Sequence, residues 1–199
     1  MERIKTLSLL SGILGFIVVA LGAWTRLADA GLGCPDWPGC YGFVTIPGSP
    51  EEIDIANSKF PETPYEVAKA IPEVVHRYFA AALGFFIVCI AYLSIRSKDV
   101  PASVRNLSLF LLAWVIIQGT FGYWTVSLKL WPQVVTTHLM SGFLTTALLW
   151  LLYFKTKDLI GNRTRWNFNR STKKLFNVSM VLVAIQTVSY THLTLPTKA

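Results

Sequence analysis

His76 and His138 are the side chains of this sequence best placed to do chemistry, each near the head of a separate apolar stretch. Glu73 precedes His76 by three positions, about one helical turn, so the two share a face. Histidine and glutamate are costly in hydrocarbon, and ionisable groups inside a membrane segment mark a functional site by default. Two neutral imidazoles at matched depth on neighbouring helices supply both axial positions of a six-coordinate haem iron. Singly, each residue has a plainer explanation. A lone histidine often only hydrogen-bonds the next helix, and an acid near a helix N-terminus is favoured by the macrodipole. The matched pair with a carboxylate one turn away is what points to iron ligation. Arg77 either pairs with a haem propionate or snorkels to the membrane surface. Gln118 is read as a hydrogen-bonding group within a helix bundle, with no catalytic role.

The elements that must position these groups are apolar. Of 199 residues, 53% are hydrophobic and 15% charged, where a soluble domain carries about 25% charged residues. Leu7–Trp24, Val74–Ile95, Leu107–Val126 and Val134–Phe154 each approach the roughly 20 residues that span a bilayer core. The first run is longer than the roughly 7–15 apolar residues of a signal peptide and lacks a clean cleavage site, so it reads as a retained helix. A fifth run begins at Leu175 and stops short near Tyr190. The fold class is therefore all-α, a polytopic membrane four-helix bundle with a truncated fifth transmembrane helix. Residues 1–154 form the four-helix half, 155–174 a basic link, 175–188 the start of the fifth helix and 189–199 a tail that reads as non-native.

Pro72 and Pro132 suit helix starts, where a missing N–H costs nothing. At about 1.5 Å per residue, His76 would lie roughly 6 Å and His138 roughly 9 Å below them. Ala80 and Gly84 continue the face of His76, and Ser141, Gly142 and Thr145 that of His138. Such small side chains serve helix packing, and equally leave room for a flat macrocycle. A weak internal repeat is visible: Gly22-Ala-Trp-Thr25 closes the first run, Gly122-Tyr-Trp-Thr125 closes the third, and a histidine heads the run after each. Two similar helix pairs are a common way to build a membrane fold.

Net charge is +7, and its distribution excludes a nucleic-acid footprint. Arg96, Lys98 and Arg105 crowd one short link, and Lys155, Lys157, Arg163, Arg165, Arg170, Lys173 and Lys174 the last. The segment from Thr25 to Glu73 holds eight of the eleven acids. The positive-inside rule then puts the N-terminus and both basic links in the cytoplasm and the acidic loop outside. Trp24, Trp37, Trp124 and Trp131 fall at the outer interface, where indoles favour the wet–apolar boundary.

Cys34 and Cys40 lie in that outer loop, in a compartment oxidising enough to keep a disulfide. Spacing alone does not separate a structural bridge from a redox-active one. Cys89, within the second run, reads as a small apolar filler.

Taken together, Thr25-Arg26-Leu27, Gly31-Leu-Gly-Cys34-Pro-Asp-Trp-Pro-Gly-Cys40-Tyr-Gly42, Glu73-Val-Val-His76-Arg77, Gln118-Gly119, Gly122-Tyr-Trp-Thr125-Val and His138-Leu139 closely resemble the haem A synthase family, as far as about Gln186. That resemblance implies an eight-helix protein of two similar halves that oxidises a ring methyl of haem O to a formyl group, giving haem A for cytochrome oxidase. This chain would be the N-terminal half. On that resemblance His76 and His138 hold the iron of substrate haem O, Glu73 is the essential carboxylate, and Cys34 and Cys40 form the outer-loop disulfide. Haem B, which passes on electrons, belongs to a second half beyond this sequence. Half an enzyme is expected to bind haem without completing turnover. The stretch from Ser189 to Thr197 departs from the family pattern, and its His192 is discounted as a ligand. Implied partners are haem O, membrane lipid, haem O synthase or an electron donor, and further copies of the chain, in a bacterial inner (plasma) membrane. Two rival readings use fewer of these residues: a bis-histidine electron carrier needs neither Glu73 nor the cysteines, and a thiol oxidase normally needs a second cysteine pair.

Overall fold

The computed structural model describes residues 1–161 and the single positions Lys174, Val178, Val181 and Ile185. Most of the fifth run, the basic residues 163–173 and the tail with His192 lie outside the described residues. Among the described residues five helices follow in order: α1 (Glu2–Leu27), α2 (Pro50–Lys59), α3 (Val67–Arg96), α4 (Ala102–Ser127) and α5 (Pro132–Ile160). The fold is all-α. The four long helices have 26, 30, 26 and 29 residues and are apolar enough to cross a membrane. Phe16, Phe85, Ile116 and Leu151 are exposed on them, as expected of surfaces whose solvent is lipid.

The expected helix starts hold at Pro132, the first residue of α5, and fail at Pro72, which lies inside α3. The helix begins at Val67 because the extra turn packs Ala70 into the core of the outer loop. Pro72 removes one intrahelical bond, and its carbonyl accepts a hydrogen bond from the Thr25 hydroxyl at 3.1 Å. At the other end, α5 continues to Ile160, so Lys155 and Lys157 sit on its last turns rather than in a link.

The long helices form a ring. α1 packs on α3 and α5, and α4 packs on the same two. α3 and α5, which carry the histidines, face each other across the ring, with no Cα atoms within 8 Å. The half of the bundle nearer Met1 is closed by Ile4, Leu83, Ile87, Ile90, Val104, Leu111, Leu149 and Leu152, all buried. Arg105 ties its end together, donating to the carbonyls of Ser94 (3.1 Å) and Val100 (3.2 Å). Among the described residues no second buried aliphatic cluster of this kind closes the half nearer the long loop.

The internal repeat extends into the backbone. α1 ends with Ala28 N–H donating to Trp24, Asp29 to Arg26 and Ala30 to Thr25. α4 ends with Leu128 donating to Trp124, Lys129 to Val126 and Leu130 to Thr125. Asp29 (φ 50°) and Lys129 (φ 48°) both adopt the left-handed conformation. Each end is a Schellman motif, built at positions 100 residues apart.

The outer loop folds over this end of the bundle. Its helix α2 starts at a capping box in which the Ser49 hydroxyl accepts from Glu52 N–H and the Glu52 carboxylate accepts from Ser49 N–H. Cys34, Cys40, Tyr41, Ala56 and Ala70 form a small separate core, with Tyr41 edge-on to Phe60 and Tyr65.

Candidate functional site

His76 projects from α3 toward α1. Its Nδ1 lies 3.1 Å from the Val18 carbonyl. A carbonyl only accepts, so Nδ1 carries the proton and Nε2 keeps a free lone pair. The ring edge rests on Gly22: a Cβ there would stand 3.1 Å from Cε1.

His138 projects from α5 toward α4 in the matching way. A Cβ on Gly122 would stand 3.3 Å from its Cε1. Its Nδ1 is buried without a hydrogen-bond partner among the described residues. The turn of α5 beneath the ring is clamped by Gln118, whose Nε2 donates to the His138 carbonyl at 2.9 Å. Its Oε1 accepts from the Ser141 hydroxyl, which also reaches the Thr137 carbonyl at 2.7 Å. The bundle role read for Gln118 from sequence is what the structure shows. Both imidazoles are half-buried.

Glu73 is buried one turn above His76 and has both oxygens engaged. Oε1 pairs with Arg77 at 2.5 Å, and Oε2 accepts from Cys34 N–H at 3.0 Å. Arg77 uses its other terminal nitrogen on the loop, donating to the carbonyls of Asp36 (3.0 Å), Pro38 (3.4 Å) and Gly39 (2.5 Å). It therefore grips the loop, where sequence reading offered a haem propionate or the membrane surface. A disulfide joins Cys34 to Cys40, with Cα atoms 4.8 Å apart. Inside its span Asp36 accepts from the N–H groups of Tyr41 (2.6 Å) and Gly42 (2.7 Å). Those two residues turn the chain at φ 56° and 84°, and at Gly42 the left-handed value suits glycine. Burial first, then the nearby Glu66 and Glu73 carboxylates, push the Tyr41 phenol above its usual range.

Glu73, Arg77, Cys34 and Cys40 thus form one cluster directly above His76, and His138 stands across the bundle. Among the described residues no three His, Cys, Asp or Glu side chains gather as a metal site of their own. Residues 5–191 match the Cytochrome oxidase assembly protein family (COX15-CtaA). The chain belongs to this family. It is similar to the heme A synthase of Shewanella oneidensis, 46% identical over 141 residues that cover 71% of this chain and 42% of that protein. It is also similar to the heme A synthase of Nitrosospira multiformis, 29% identical over 190 residues covering 85% and 52% respectively. The chain spans about half the length of these curated relatives. No solved structure gives a significant match.

Sequence reading of this family member missed Gly22 and Gly122 as seats for the imidazoles, and Asp36 as the organiser of the cysteine loop. The glycines did carry a signal, since they head the repeated motif. Asp36 carried none beyond its place between the cysteines.

Proposed function

We propose that the protein is a haem A synthase, which oxidises a ring methyl of haem O to a formyl group. The observation that carries this reading is the pair of imidazoles on α3 and α5, helices that stand on opposite sides of the ring. Three features of the chain suit a haem there. His76 has its Nε2 unengaged. The α3 and α5 backbones stand apart. Gly84, two turns below His76 on the same face, has nothing within 4 Å of where a Cβ would be. His76 and His138 would hold the iron of haem O, which supplies the oxidisable methyl and the conjugated ring that delocalises charge.

Glu73 is the carboxylate for the chemistry. Pinned by Arg77 and the Cys34 N–H, it presents fixed negative charge above the ring, where it stabilises positive charge developing at the methyl carbon or takes a proton from attacking water. Arg77 holds Glu73 in place, and the disulfide loop lids the site and excludes bulk water. The Cys34–Cys40 pair serves this lid, or redox exchange with it. The electrons and protons released as the methyl becomes a formyl group, with water giving the oxygen, would pass by way of a haem B to an electron acceptor, and haem O synthase would supply the substrate. The protein sits in the bacterial inner membrane with its N-terminus in the cytoplasm and the cysteine loop outside, following its charge asymmetry.

The test uses cells that make haem O and rely on this protein's gene for haem A. Extracted haems should include haem A with the wild-type gene, and only haem O with Glu73→Gln. Undiminished haem A in that variant would remove Glu73 from the chemistry. Purified wild-type protein carrying only unmodified haem, in cells that form no haem A, would favour the electron-carrier reading.

A further inference from the structure

We infer that Gly22 and Gly122 are paired positioning residues, notches that seat the Cε1 edges of His76 and His138 so that both rings turn Nε2 toward one shared iron. The inference rests on the haem reading above and adds what orients its ligands.

Both glycines hold the same place in the repeat, three residues before Thr25 and Thr125 and just inside matching helix ends. Each meets the same atom of its imidazole. A Cβ on Gly22 would lie 3.1 Å from Cε1, 3.5 Å from Nδ1 and 3.7 Å from Nε2; on Gly122 it would lie 3.3 Å from Cε1 and 3.9 Å from Nε2. One turn earlier on α1, the Val18 carbonyl lies 3.1 Å from Nδ1 of His76, whereas Nδ1 of His138 is buried without such a partner. The notch sets the tilt of each ring, and at His76 the carbonyl also sets the tautomer, as outer-shell partners do for metal-ligating histidines.

Glycine in a helix interior is less favourable than alanine. Here the missing methyl is needed: an alanine Cβ would force the imidazole back by a few tenths of an ångström, and Nε2 with it. Gly12 and Gly15 on the same helix meet Trp150 and Thr146 instead, so they serve helix packing.

The experiment is low-temperature electron paramagnetic resonance of the membrane-embedded chain loaded with ferric protohaem, together with titration of haem binding. Gly22→Ala and Gly122→Ala should each shift the largest g value of the low-spin signal and weaken haem binding about 10–100-fold. Gly15→Ala, whose Cβ would press on Thr146 at 2.9 Å, should leave the signal in place. A wild-type signal unmoved in both alanine variants, or moved as far by Gly15→Ala, overturns the inference alone. A wild-type chain with no bis-imidazole signal overturns the haem reading and the inference with it. If Gly22→Ala fails to fold, the looser contact at Gly122 decides.

Discussion

Replacing Glu73 with alanine should unlatch the cysteine loop. The substitution strips Cys34 N–H of its acceptor and Arg77 of its ion partner. A buried N–H left without a partner costs about 1–3 kcal/mol. Breaking a buried ion pair costs about 3–5 kcal/mol, taken at its lower end because the Arg77 side chain is 15% exposed and keeps three loop carbonyls. The two losses share a partner and overlap, so together they come to about 3–4 kcal/mol. That corresponds to a rise of roughly 10²–10³ in the opening equilibrium of the loop. Hydrogen exchange at the Cys34 amide, followed by mass spectrometry in lipid nanodiscs, reads this directly. Glu73→Gln keeps an oxygen for the amide and should raise exchange only about tenfold, since charge-assisted bonds are roughly twice as strong as neutral ones. Equal protection of Cys34 in wild type and Glu73→Ala would refute the latch.

Gln118→Leu takes the side-chain donor from the His138 carbonyl and leaves the Ser141 hydroxyl to the Thr137 carbonyl, and should lower stability by about 1 kcal/mol, seen as an earlier thermal transition. Gly84→Phe fills the open space below His76 and should abolish haem retention while thermal stability of the haem-free chain changes little; retained haem would show that the slot lies elsewhere. Ser49→Ala removes one arm of the α2 capping box and should cost about 1 kcal/mol, confined to faster exchange across residues 49–59.

The membrane architecture was legible because hydrocarbon imposes its pattern residue by residue: apolar runs named all four long helices, and a repeated four-residue motif marked the two helix ends that share one backbone turn. Contacts that depend on how the outer loop folds were less so. Arg77 reaches carbonyls some forty positions away in sequence, and nothing in its neighbours signals that. Pro72 misled because a start and an interior position near a start look alike when one lost hydrogen bond is offset by tertiary packing. The helix α2 was overlooked although Ser49-Pro-Glu-Glu52 carries its capping signature; the surrounding prolines and glycines masked a helix of ten residues. The glycine seats were visible as motif letters, but their meaning needed the rings that fill them.

The most direct test of the account asks whether His76 and His138 bind one iron. Magnetic circular dichroism of the haem-loaded chain should show a single low-spin bis-imidazole centre, and His76→Ala or His138→Ala alone should each convert that same centre to a high-spin form. A low-spin signal that survives either single substitution unchanged would contradict it.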